Sequence, residues 1–291
     1  MIHIIADTTC SIPVPDAQKR GLTLLPQMII FGENTYRDDN EITTEEFLRK
    51  LKSSPTLPKT AAPPPALYNP IFQECASSGD TAIVITPSAE LSGTFRSASI
   101  AAQDFPHADI RIIDSRTIGS GLGMLVMRAL EWSRSNLSAD EVVAKVEEMR
   151  HRERVYFFVD TLEYLYKGGR IGAAKMLFGS LLQVKPILTL QDGSTFPLEN
   201  QRTRKRALQH IRELVKSEFP TDDSAYISIM EGDAAQEASL LVEEIKGDLG
   251  INHIPVFRLP PAIITHAGPG CLAVSFFAKT PKAYPQLNQT E

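Results

Sequence analysis

Cysteine is scarce in this chain of 291 residues, and the three present stand far apart. Cys10, Cys75 and Cys271 are odd in number, form no CxxC pair and match no zinc spacing. A disulfide framework and a cysteine-based metal site are therefore not expected. Positive charge is not in surplus either, with 30 Lys and Arg against 35 Asp and Glu and a formal net charge of −5. No dense basic patch is found, which argues against a dedicated nucleic-acid binder. No hydrophobic run approaches the ~20 residues of a spanning helix, so no stable membrane insertion is expected. The opening MIHIIADTTC has no basic segment followed by a long apolar one, and so does not read as a signal peptide. With the unpaired cysteines, this places the protein in a reducing cytoplasm, and the sequons at Asn136 and Asn288 read as chance matches. GxxxxGK[ST], HExxH and GxSxG are all missing, which removes the P-loop, zincin and hydrolase-elbow signatures.

What is present is a globular composition, 43% hydrophobic and 22% charged, in a chain long enough for two domains. Ile2–Ala6, Thr81–Thr86 and Ile110–Asp114 are short aliphatic runs that each end in a small polar loop. They read as buried parallel strands. Helical patterns follow, with Leu122, Leu125, Val126, Ala129 and Leu130 on one face and a capping box at Ser138 and Glu141. A hairpin is expected over residues 27–37, turning at Gly32–Asn34, then a helix capped by Thr43 and Glu46. Six prolines between Ser54 and Pro70 predict an irregular loop without regular secondary structure. The second half predicts strands at Val155–Asp160, Lys185–Leu190, Thr195–Glu199, Ala225–Met230, Pro255–Leu259 and Leu272–Phe277, with two amphipathic helices among them. The fold class is thus α/β in two domains: residues 1–153 as a parallel α/β/α unit carrying the proline-rich loop, and residues 154–291 with a mixed or antiparallel sheet covered by helices.

Ligands of open α/β sheets bind beyond the carboxyl ends of the strands. The loop after the second strand places Ser92, Gly93 and Thr94 where a helix begins, and unpaired N–H groups with hydroxyls there can bind an anion. The same residues can equally serve only as helix caps. The Gly119, Gly121 and Gly123 spacing is GxGxG rather than the dinucleotide fingerprint and reads as packing. His266, in Thr265-His266-Ala267-Gly268-Pro269-Gly270, is expected on a tight loop rather than a helix face. There it can donate to or pair with a carboxylate. Arg170, beside Gly168 and Gly169, reads either as a contact for an anionic group or as part of a solvated turn.

IIADTTCSIP, PSAELSGTFRSA, IDSRTIGSGLGMLV, DTLEYLYKGGRIGAAKMLFGSLLQVKPIL and THAGPG, in this order, resemble the signatures of the DegV family of bacterial lipid-binding proteins. The resemblance spans nearly the whole chain. It implies a long-chain fatty acid, of palmitate, stearate or oleate type, held between the domains with no other cofactor. It also implies a carboxylate held by Thr60, Ser92 and His266, with Gly93, Thr94 and Thr265 supporting them. Ala61 stands where relatives carry a serine, so one supporting hydroxyl is expected to be missing. Relatives of this kind present the acid to a separate ATP-dependent kinase subunit that makes acyl-phosphate for phospholipid metabolism. Arg170 matches an exposed position implicated in docking that partner. A cytoplasmic monomer without turnover of its own is the implied form. The tail is expected against Met176, Leu177, Phe178, Leu181 and Leu182. The alternative is a serine hydrolase acting on acyl esters, with Ser92 as nucleophile, His266 as base and Asp7 or Asp114 orienting it.

Overall fold

A computed structural model describes residues 1–179, 185–220 and 225–282. The chain opens with β1 (Ile2–Asp7), α1 (Val14–Lys19) and β2 (Thr23–Leu25), then a hairpin of β3 (Met28–Phe31) and β4 (Asn34–Arg37). α2 (Thr44–Ser53), β5 (Lys59–Ala61) and α3 (Asn69–Ser78) follow, then β6 (Thr81–Thr86), α4 (Thr94–Ala102), β7 (Asp109–Asp114), α5 (Ser120–Ser133) and α6 (Ala139–Arg150). The remainder is β8 (Glu153–Phe158), α7 (Glu163–Lys167), β9 (Lys185–Gln191), β10 (Ser194–Gln201), α8 (Arg204–Glu218), β11 (Ile227–Gly232), α9 (Ala235–Leu249), β12 (Val256–Arg258), α10 (Pro261–Ala267) and β13 (Cys271–Phe277).

The first sheet, in order β2-β1-β6-β7, is parallel throughout. Its strands are near-continuous apolar runs because helices cover both faces. Ile4, Ile83 and Ile85 pack on α5 and α6 through Leu122, Val126 and Val142, whereas Ile5, Ala82 and Val84 pack on the other face with Phe72 and Ala98. The second sheet, β10-β9-β8-β13-β11-β12, is mixed: β11–β12 is parallel and its other pairings are antiparallel. The mixed α/β class read from the sequence is therefore correct.

Alternation along the second sheet separates two apolar bodies. Tyr156, Phe158, Leu272, Val274 and Phe276 join Ile211 and Leu241 of α8 and α9 under one face. Val155, Leu188, Leu190, Met230, Cys271 and Ala273 point the other way, into a core shared with α2 and α10. Side chains that alternate at a period of two must divide in this way.

Three local expectations need correction. The proline-rich stretch is not devoid of regular structure: Lys59–Ala61 forms β5, which pairs with β3 in a small sheet of order β4-β3-β5, and Pro65–Leu67 is a turn of 3-10 helix. The prolines flank the strand rather than occupy it, so no ladder N–H is lost. The segment before His266 is helix, not loop. Pro260 and Pro261 supply the φ of a first helical turn, and Gly268 (φ +78°) ends it. Two of the residues expected to line the tail also stand at the surface. Met176 is 75% exposed and Phe178 stacks on Tyr166 at 4.0 Å between ring centres, while Leu181 and Leu182 lie outside the described residues.

Candidate functional site

Between the first sheet's carboxyl edge and the inner face of the second lies a cavity of about 920 Å³, counting its open mouth. Its walls are largely apolar: Val155 and Phe157 from β8, Leu190 from β9, Met230 from β11, and Leu259 and Ile263 near α10. Polar groups converge at one place, where Thr9, Gln27, Thr60, Ser92, Arg170 and His266 share the lining. A largely apolar space with a few convergent polar atoms is the usual form of a small-molecule site.

Each of these side chains is delivered by local structure. Thr60 sits in β5 opposite Ile29 of β3, with Ala61 exposed on the next position. A serine at residue 61 would therefore project to solvent, so the supposed gap in the supporting hydroxyls is not a gap in the site. Ser92 and Gly93 precede Thr94, the first residue of α4, and the three stand beyond the carboxyl ends of β1 and β6. Ser88 fixes that loop to the other half by donating to the Gly193 carbonyl at 2.7 Å. His266 occupies the last turn of α10, and its Nε2 lies 2.8 Å from Thr60 Oγ1. Gly168 lets the imidazole approach, since a Cβ there would stand 2.3 Å from His266 Nδ1.

Burial pushes the His266 imidazole down to about 4, and the charge of Arg170 pushes the same way. It is neutral at physiological pH, a hydrogen-bond partner rather than a fixed cation. Its Nδ1 is buried with no partner. Arg170 corrects an expectation. It is half-buried rather than exposed, with Nε donating to Leu91 O at 2.9 Å and Nη1 to Gly168 O at 2.7 Å. Burial lowers its pKa, and its charge stands at the polar end of the cavity.

Behind Ser92 lies a buried network that sequence reasoning missed. Ser92 Oγ is 2.9 Å from Thr94 Oγ1, which donates to Asp7 Oδ2 at 2.6 Å. Gln27 Nε2 donates to Asp7 Oδ2 at 2.7 Å and to Thr94 Oγ1 at 3.0 Å. Thr9 donates to Asp7 Oδ1 through its backbone N–H at 2.9 Å and through its hydroxyl. Nearby, Asp38 Oδ1 accepts from Thr8 and from the Gln27 backbone, while its Oδ2 is shut off without a partner. A signal was available in Asp7-Thr8-Thr9 at the end of a parallel strand, but nothing in the sequence ties Gln27 to it.

Of the supporting residues, Gly93 lines the cavity and Thr94 anchors Ser92. Thr265 does neither: it is buried and bonds the Pro261 carbonyl within its own helix at 2.9 Å. No catalytic relay forms. Ser92 hydrogen-bonds Thr94 rather than His266, Asp7 is committed to Thr9, Gln27 and Thr94, and Asp114 Oδ1 accepts from the backbone of Ala89 and Arg116. Among the described residues no group of three or more His, Cys, Asp or Glu could hold a metal ion. Cys271 lines the cavity, but burial pushes its thiol up to about 12, which removes it as a nucleophile.

An α/β fold whose sheets enclose an apolar cavity with a polar end defines a class of small-molecule binding proteins. This chain belongs to the DegV family, whose pattern ("Uncharacterised protein, DegV family") matches residues 1–279. It is 33% identical over 278 residues to DegV domain-containing protein SCO2569 of Streptomyces coelicolor, across 94% of this chain and 97% of that one. Among solved structures it is similar to a fatty-acid-binding DegV family protein from Thermus thermophilus, with TM-score 0.88, 29% identity and coverage of 95% and 99% of the two chains. A stearic-acid-binding protein from Eubacterium ventriosum matches with TM-score 0.84, 25% identity and coverage of 96% and 99%.

Proposed function

We propose that this protein binds one long-chain fatty acid, with its carboxylate at Thr60, Ser92 and His266 and its tail along the apolar wall between the two sheets. The observation that carries this reading is the meeting of Thr60, Ser92 and His266, distant in sequence, at the polar end of an otherwise apolar cavity. The ligands named for the Thermus thermophilus and Eubacterium ventriosum proteins support the same class of molecule.

The chemistry is consistent. Each buried CH₂ contributes about 0.8 kcal/mol, so the tail dominates affinity. The head group must still exchange its water for hydrogen bonds, and two hydroxyls with a neutral imidazole supply them. Arg170, held by two carbonyls beside that end, adds positive potential without needing to ion-pair directly. Residues 1–153 and 154–291 are then two domains closing on one ligand, in a cytoplasmic monomer with no turnover of its own. The bound carboxylate would be offered to a separate ATP-dependent kinase subunit for acyl-phosphate formation.

Two measurements test this. Delipidated protein titrated with oleate should take up one equivalent, and a Thr60→Val, Ser92→Ala double variant should lose most of the affinity. An acyl ester supplied in excess should yield no sustained acid. Steady release of acid that Ser92→Ala abolishes would replace the carrier reading with the hydrolase one.

A further inference from the structure

We propose that Asp7 is a positioning residue for the head-group site, whose proton sets the direction of the hydrogen-bond chain Asp7–Thr94–Ser92 and thereby makes Ser92 a donor to the ligand. The inference rests on the fatty-acid reading above and adds a group that touches no ligand atom.

Along Asp7 Oδ2, Thr94 and Ser92 the bonding runs in one of two directions. Gln27 Nε2 has two protons, one directed at Asp7 Oδ2 and one at Thr94 Oγ1, so it is fixed in both. Thr94 has a single hydroxyl proton and two lone pairs. When Asp7 is ionised, Thr94 donates to Asp7 and accepts from Gln27 and Ser92. The Ser92 proton is then turned away from the cavity, and its lone pairs face the incoming carboxylate. When Asp7 carries a proton on Oδ2, it donates to Thr94, Thr94 donates to Ser92, and the Ser92 proton is free for the ligand. Every polar atom of the chain stays paired in both arrangements, so changing between them needs one proton on Asp7 and rotation of two hydroxyls.

Burial favours the protonated form. Asp7 is fully buried and has its pKa raised, desolvation outweighing the donors of Thr9, Thr94 and Gln27. The titratable groups around it add no cation. Asp38, beyond Thr8, is raised to about 7; Cys10 is raised to about 12; and the Tyr68 phenol is raised as well. Across the cavity stand neutral His266 and the guanidinium of Arg170. A second carboxylate arriving at Ser92 is opposed by an ionised Asp7 and accepted by a neutral one. Binding therefore takes up a proton wherever free Asp7 is ionised.

The affinity for oleate, below its micellar concentration, is measured from pH 5 to 9 for wild type, Asp7→Asn and Asp38→Asn. Wild-type affinity should fall as pH rises through the Asp7 midpoint, approaching about tenfold per unit. In Asp7→Asn no carboxyl remains to titrate, and the amide donates to Thr94 once the Gln27 side chain turns its oxygen toward it. The pH slope should vanish, and binding at the alkaline end should exceed wild type by at least tenfold. A slope that persists in Asp7→Asn, or one that disappears only in Asp38→Asn, places the proton elsewhere and overturns the proposal. Should Asp7→Asn not fold, wild-type binding heats in two buffers of different ionisation enthalpy decide it. Net proton uptake at the alkaline end supports the proposal, and none overturns it. Failure of wild type to bind oleate at any pH is a different outcome, since it removes the fatty-acid reading itself.

Discussion

At the scale of single residues, the site is a set of neutral hydrogen-bond partners with one charge set behind them. Thr60 and His266 meet at 2.8 Å, and Ser92 is held by Thr94. A hydrogen bond to a charged group contributes roughly 1.5–3 kcal/mol. Ser92→Ala should therefore weaken oleate binding by about 10- to 100-fold in a fluorescence displacement titration, with the fold unchanged by circular dichroism. The imidazole gives a second prediction at this scale. Its pKa falls from about 6.5 when unfolded to about 4 in the native state, so the unfolded chain binds the proton first. The stability associated with a neutral His266 is complete above about pH 6.5 and is lost as pH falls towards 4, by at most roughly 3 kcal/mol. Urea melts across that window should show a shallower acid decline for His266→Gln than for wild type. Family resemblance pointed to Thr60, Ser92 and His266, which the structure brings to one end of the cavity, but local chemistry left Ser92 as either a ligand or a cap. The structure makes it a hydroxyl lining the cavity. The Asp7 network stayed hidden because Gln27 reaches it through a loop with no motif of its own.

At the scale of elements, the long and strongly patterned segments were legible. β1, β6 and β7 are mostly aliphatic runs, broken only by His3 and Arg111 within them, and the capping boxes at Thr43 and Ser138 both form as the Ser/Thr-x-x-Glu spacing predicts. Short elements were not. β5 has three residues among prolines and exists because β3 offers it an edge. α10 is seven residues of mostly β-branched or small side chains, a composition with weak helical preference, and burial of Ile264 against the shared core overrides it. These two elements carry Thr60 and His266, so the least legible parts of the chain are those that build the site. The close contact between α7 and α10 is also testable. Gly168 has ordinary backbone angles, so an added methyl needs no unusual φ; its nearest clash is with the His266 ring at 2.3 Å, followed by the Tyr164 carbonyl at 2.9 Å. Gly168→Ala should cost about tenfold or more in oleate affinity by calorimetry, while a distant helix change such as Gly247→Ala, where nothing stands within 4 Å, should not.

At the scale of the whole molecule, the cavity lies where the first sheet's carboxyl edge faces the inner surface of the second. The mixed α/β fold and its two larger sheets were legible from strand rhythm and chain length; the depth of the cavity and its lining were not, because alternation shows which residues share a face and not what that face encloses. That is why the tail was expected against Met176, Leu177, Phe178, Leu181 and Leu182, whereas Val155, Phe157, Leu190 and Met230 build the apolar wall of the cavity. A ligand that bridges two halves stabilises both by mass action, about 2.7 kcal/mol at a hundred times its Kd. Delipidation should lower the melting temperature, and oleate should restore it in a concentration-dependent way, as differential scanning calorimetry would show. The most direct test of the binding claim is native mass spectrometry of the protein purified from a bacterial host, followed by lipid analysis after denaturation. One long-chain fatty acid per chain is the predicted result. Lipid-free protein that takes up neither palmitate nor oleate when they are added would contradict it.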